Sequence, residues 1–130
     1  MNYSAIWLDH HHATLFNFHQ KDGKLDLSDV STESIFSDEP IEHHNRHPHD
    51  VISDVKEQAH ARFFDKITKK LENPKQLFVM GPGIAKNQFI HHCESLDNKH
   101  LIQALVGVET SGSHASYAEM IAKAESFFVL

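Results

Sequence analysis

The chain has 130 residues, 40% hydrophobic and 23% charged, with a formal net charge of −6. That length fits one domain able to bury roughly two thirds of its unfolded surface, and the acidic balance excludes a protein that coats nucleic acid by bulk electrostatics. No apolar run approaches the ~20 residues of a transmembrane helix, and Met1-Asn2-Tyr3-Ser4 lacks the basic and apolar regions of a secretory signal. Cys93 stands alone, which excludes an intrachain disulfide and leads us to expect a reducing, cytoplasmic setting. The 13 histidines qualify the charge. Titrating near ~6.5, they would swing the chain towards positive below about pH 6, so a pH-responsive interaction module is one reading of this composition.

In chain order, Ser4–Leu8 carries Ile6 and Trp7 and reads as a strand. Asp9-His10-His11-His12 is polar and turns, and Ala13–Phe18 resumes with Leu15, Phe16 and Phe18. Lys21-Asp22-Gly23-Lys24 is a turn signal, after which Lys24–Val30 sets Leu25, Leu27 and Val30 against polar residues. Three short strands with tight turns predict an antiparallel meander. Residues 31 to about 50 break this pattern, and Glu42-His43-His44-Asn45-Arg46-His47-Pro48-His49-Asp50 contains no apolar residue. A connection this long inside a compact domain carries function or stays solvated.

From Val51 to Leu71, Val55, Ala59, Phe63, Phe64 and Ile67 return at helical spacing, with Asp50 or Ser53 as the expected cap and Asn73-Pro74 as the stop. Leu77–Met80 is a buried strand that ends in Gly81-Pro82-Gly83. A helix then runs from Ile84 to about Leu96, and a strand follows over Leu101–Val108. Thr110-Ser111-Gly112-Ser113 is a turn ending in an N-cap. The last helix aligns Tyr117, Met120, Ile121, Ala124, Phe127 and Phe128. The expected fold is a single α/β domain over residues 1–130 with a mixed sheet in the order βββαβαβα, the order of a ribonuclease-H-like sheet.

The chemistry-bearing residues fall into a few groups. Glycines at a strand's carboxyl end followed by a helix N-terminus form the usual ligand position of an α/β sheet. Gly81, Gly83 and Lys86 are therefore candidates to hold a phosphate or carboxylate, against the plainer reading of a tight turn with a solvated lysine. This is neither a Walker A loop nor a dinucleotide fingerprint, because the spacing and the Lys-Ser/Thr pair are wrong. His43, His44, His47 and His49 offer nitrogen ligands for a divalent metal such as zinc or nickel. The rival readings are a loop whose imidazoles and Arg46 touch RNA phosphates or a partner, and a plain solvated loop. His10 and His12 would share a strand face and could chelate together, although a polar turn is the simpler reading. His91 and His92 point about 100° apart on a helix and form no chelate unaided, and Cys93 reads as structural. Lys66, Lys69 and Lys70 read as a solvated helix face; Phe63, Phe64, Phe127 and Phe128 read as core.

Several segments together carry a family resemblance: Ala5-Ile6-Trp7-Leu8-Asp9, Leu77–Gly83 with Lys86 and Phe89, Val106-Gly107-Val108-Glu109-Thr110, Gly112-Ser113-His114 and Ala124-Glu125-Ser126-Phe127-Phe128. Over nearly its whole length the chain resembles small bacterial translational machinery proteins related to the middle domain of archaeal and eukaryotic class-1 release factors and of pelota. The resemblance implies that fold and a ribosome, tRNA or translation-factor partner. The release factors carry Gly-Gly-Gln in the loop before the long first helix. This chain has His43-His44-Asn45-Arg46-His47 there and no adjacent glycines anywhere, so the resemblance implies binding without peptidyl-tRNA hydrolysis and no catalytic residue. Asp9 ends the first strand, where ribonuclease-H-like nucleases hold a metal-binding carboxylate. A two-metal site needs more converging acids; Asp54, Glu57 and Asp65 lie on the following helix, but the next strand ends in Gly81-Pro82-Gly83 rather than an acid, and Asp9 reads better as a turn former.

Overall fold

The computed structural model describes residues 2–38, 49–97 and 99–130, with side chains left aside over 49–59. The elements are β1 (Asn2–Leu8), β2 (His12–Lys21), β3 (Lys24–Leu25), β4 (Ser31–Phe36), α1 (His49–Lys70), β5 (Gln76–Gly81), α2 (Ala85–Glu94), α3 (His100–Ala104), β6 (Leu105–Thr110) and α4 (Tyr117–Phe127). They build one mixed six-stranded sheet in the order β3-β2-β1-β5-β6, with β4 also paired to β2. β2 runs antiparallel to β1, β3 and β4, whereas β1, β5 and β6 run parallel.

The sheet is covered on both faces, which explains why its central strands read as apolar runs rather than clean alternations. From β1, Ile6 and Leu8 point into a core with Leu15, Phe63, Phe64, Ile67, Val79 and Phe89, under α1 and α2. Tyr3, Ala5 and Trp7 point the other way, into a core with Phe16, Phe18, Phe78, Met120 and Phe128, under α4. Each of these large side chains stabilises the fold by about 1.5–3 kcal/mol through burial alone. Phe127 is half-buried and stacks on Phe78 with ring centroids 4.4 Å apart. Gly107 makes room for it, since a Cβ there would lie 2.6 Å from Phe127 Cδ1. Asp22 and Gly23, both with positive φ (54° and 79°), make the tight turn that Lys21-Asp22-Gly23-Lys24 predicts.

The expected order βββαβαβα is amended in two places. Ser31–Phe36, expected to be loop, is strand β4. Its sequence hides this because it is an edge strand in which only Ile35 is buried, so no alternation is written into it. The expected strand over 101–108 divides into the short helix α3 and the strand β6, with Leu101 and Ala104 buried one helical turn apart. Smaller shifts accompany these. The strand expected over 24–30 is the two-residue β3, and the last helix is capped by Ser116 rather than Ser113. Ser116 and Glu119 form a capping box, each side chain accepting the other's backbone N–H at 3.1 and 2.8 Å. Lys66 and Lys70 do not simply face solvent: Lys66 Nζ donates to the Phe36 carbonyl at 3.0 Å, and Lys70 pairs with Glu33 at 2.8 Å. Among the described residues no helix is long and apolar enough to cross a membrane.

Candidate functional site

The parallel strands β1, β5 and β6 end together, bringing Leu8 and Asp9, Gly81-Pro82-Gly83 and Thr110-Ser111 to one side of the sheet. Gly81 is wedged against β1. An added Cβ would lie 2.1 Å from the Leu8 carbonyl oxygen, and the Gly81 φ is +156°. Its own carbonyl accepts the Ser111 N–H at 3.0 Å, tying the β6 end into the turn. Gly83, at φ +62°, completes the reversal into α2. The N-cap of α2 is Ile84, which is 61% exposed and makes no side-chain cap, and the first turn carries no acidic residue. Such an uncapped N-terminus is electrostatically suited to an anion.

Lys86 differs from the solvated lysine of the plain-turn reading. It is buried, and its ammonium donates to the Gly83 carbonyl, closing the turn from within. The side chain therefore stabilises the loop it was expected to decorate. The residues the sequence singles out at 81–86 are brought together, with their cation turned inward.

On the β1–β2 turn, Asp9 behaves as a turn former. Its Oδ1 accepts the N–H groups of His11 and His12, both at 2.8 Å. His10 and His12 take different neighbours on opposite faces. The His10 ring stacks on His60 of α1 at 4.6 Å and its Nε2 lies 2.5 Å from Gln88 Oε1 of α2. His12 tilts against Trp7 at 5.1 Å and stacks on Phe36 at 6.0 Å. The candidates Arg46, His43, His44, His47 and the side chain of His49 lie outside the described residues. Among the described residues no three His, Cys, Asp or Glu side chains gather to hold a metal. Cys93 is buried, and desolvation, with a smaller push from the Glu94 charge, raises its thiol to about 12, far from a nucleophile's range.

Sequence reasoning missed the seam between α1 and α2. His60 packs on Phe64, Phe64 packs on His92, and His92 Nε2 meets Asp65 Oδ1 at 2.9 Å. Helical spacing marks Phe64 as core, but nothing local tells that these imidazoles line the same seam. A hollow of about 400 Å³ lined by Asn2, Asn17, His19, Ser31 and Glu72 sits at the opposite end of the sheet from Gly81.

Against known proteins, the likeness is one of fold. The archaeal translation termination factor aRF1 superposes with a TM-score of 0.58 at 19% identity, over 95% of this chain and 34% of that one. Archaeoglobus fulgidus Pelota gives 0.57 at 18% identity, over 93% of this chain and 29% of that one. Thermoplasma acidophilum Pelota gives 0.55 at 18% identity, over 89% and 30%. The fold is release-factor-like. The chain spans about a third of the length of these release-factor-like structures, so the match is to one part of each. No family model and no curated protein matches the chain.

Proposed function

We propose that this chain is a translation-related binding protein that contacts the ribosome, tRNA or a translation factor without carrying out peptidyl-tRNA hydrolysis. The observation that carries the reading is the fold likeness to aRF1 and Pelota along about nine tenths of the chain. The domain it corresponds to is the middle domain of those proteins, with a ribonuclease-H-like central sheet. The five glycines, at 23, 81, 83, 107 and 112, include no adjacent pair, so the Gly-Gly-Gln hydrolytic motif is absent from the chain. The inward turn of the Lys86 ammonium leaves the exposed Ile84 as the side chain this turn offers a partner, and Arg46 stays a contact candidate on its sequence alone. With a net charge of −6, binding rests on local contacts rather than on enveloping RNA.

The test is sedimentation of the untagged protein with ribosomes at low and moderate salt, beside a peptide-release assay on ribosomal complexes. The expected result is salt-sensitive pelleting without peptide release. Protein left wholly in the supernatant at low salt refutes the reading. The metal reading rests on His43, His44, His47 and His49, and metal analysis of the same preparation tests it. Stoichiometric metal lost by the variant with all four replaced by Ala would move the function to a metalloprotein.

A further inference from the structure

The sheet ends in two outer edges that are built differently. At β4, charge stands along the rim. Glu33 holds Lys70 at 2.8 Å, and Lys66 reaches both the Phe36 carbonyl at 3.0 Å and the Asp38 carboxylate at 2.9 Å. A strand arriving there would have to displace these groups, which is how natural sheets keep an edge from pairing. Among the described residues β6 carries a single, looser ion pair, Glu109 with Lys123 at 3.8 Å. Its sequence, Leu105-Val106-Gly107-Val108-Glu109-Thr110, has no proline and no lysine, and its first five residues are all half-exposed. Among the described strands β6 pairs with β5 alone and ends the sheet, while α4 reaches it from one face through Phe127 over Gly107 and Lys123 on Glu109.

The backbone states what the β6 rim accepts. Ser111 N–H bonds the Gly81 carbonyl. In a parallel ladder successive residues direct their N–H and C=O groups to alternate sides, so Glu109 faces β5 while Val108 and Thr110 face outward. No described residue makes a backbone hydrogen bond to those outward groups. Donors and acceptors in a row beside half-exposed valines fit an extended strand and little else.

We infer that the occupant is a second copy of this chain, pairing β6 antiparallel with β6 of its partner about a two-fold axis through Val108. The charges favour this occupant. Glu109 is the only ionisable side chain on the strand, and it already has Lys123 Nζ at 3.8 Å. The two-fold sets Glu109 opposite Gly107 of the partner subunit, which has no side chain, so the two acids do not meet. It also sets Val108 on its own symmetry mate and Thr110 against Val106 of the partner subunit. The edge is thus neutral and complementary to itself, as an isologous interface requires. The pairing joins two six-stranded sheets into one. A single strand pair falls short of the ~1,200 Å² that stable complexes bury, so the dimer is concentration-dependent.

The experiment is sedimentation equilibrium of the full chain over a wide concentration range, with thermal melts as the folding control. The wild type should show a reversible monomer–dimer equilibrium. Val108→Lys should raise the dissociation constant by at least about tenfold, which is ~1.4 kcal/mol, while Thr32→Lys on the β4 edge should leave it unchanged. Thr110→Lys, at an exposed position, should act as Val108→Lys does and serves if that variant fails to fold. A wild type that stays monomeric at every concentration overturns the inference. So does a dimer indifferent to both β6 lysines, or one weakened equally by Thr32→Lys.

Discussion

Replacing Gly81 by alanine separates a steric role for the β5–α2 turn from a purely conformational one. The added methyl would meet the Leu8 carbonyl oxygen at 2.1 Å, more than an ångström inside ordinary contact. Leu8 is fully buried and its O belongs to the β1 backbone, so it has no rotamer through which to withdraw. Overpacking a rigid site costs about 1–3 kcal/mol and sometimes more, and holding a non-glycine residue at φ +156° adds about 1–3 kcal/mol. We expect a loss of about 3–5 kcal/mol, a large share of the roughly 5–15 kcal/mol that holds a domain of this size. At about 4 °C per kcal/mol this lowers Tm by roughly 12–20 °C. Urea unfolding and thermal melts of a glycine series provide the assay. Gly83→Ala, at φ +62° with open space around it, should lose only about 1 kcal/mol. Gly112→Ala, with open space and no positive φ, should be neutral. Gly107→Ala should fall between them and Gly81→Ala, because the atom it meets belongs to a side chain, Phe127, that can shift. A Gly81→Ala protein as stable as Gly83→Ala would refute the wedge against β1.

Three further outcomes follow from buried or capping groups. Lys86→Met keeps the apolar stem but removes the ammonium from the Gly83 carbonyl, and should cost about 1–3 kcal/mol in denaturant unfolding; unchanged stability would return Lys86 to the solvated role. Cys93, with its thiol pushed up to about 12, should resist a thiol reagent at pH 8 in the native state and react only on unfolding; rapid native labelling would contradict its burial. The Glu119 carboxyl is held below the ordinary glutamate value, first by the Ser116 backbone N–H and then by the Ser116 hydroxyl. A lowered folded pKa stabilises above the unfolded value, and that stabilisation is lost as pH falls through the folded one. The Tm advantage of the wild type over Glu119→Gln should therefore be full at neutral pH and shrink below the ordinary glutamate range; a pH-independent difference would exclude the charge of Glu119 as its source.

Local chemistry made much of the molecule legible from sequence. Helical spacing places Phe63, Phe64 and Ile67 on one buried stripe of α1, the Asp22-Gly23 turn can take little but positive φ, and Gly81-Pro82-Gly83 can only end a strand. These features depend on residues within a turn or two of each other, so one stretch of chain contains their whole cause. What tertiary structure decided has its cause in residues far apart. β4 is a strand only because β2 lends it a ladder from His12 to Asn17, and its polar sequence offers no burial pattern of its own. Leu101–Ala104 turns helical because the sheet takes only the residues that reach β5, from Leu105 on. Lys86 looks like any solvated lysine until the turn folds its carbonyl over the ammonium. His10 meets His60 across fifty residues, and no spacing rule reaches that far. Sequence alone thus determined which segments prefer helix, strand or turn, through short-range dihedral and burial preferences. The sheet decided which edges stay open and which polar groups turn inward, because those depend on what the rest of the chain brings alongside.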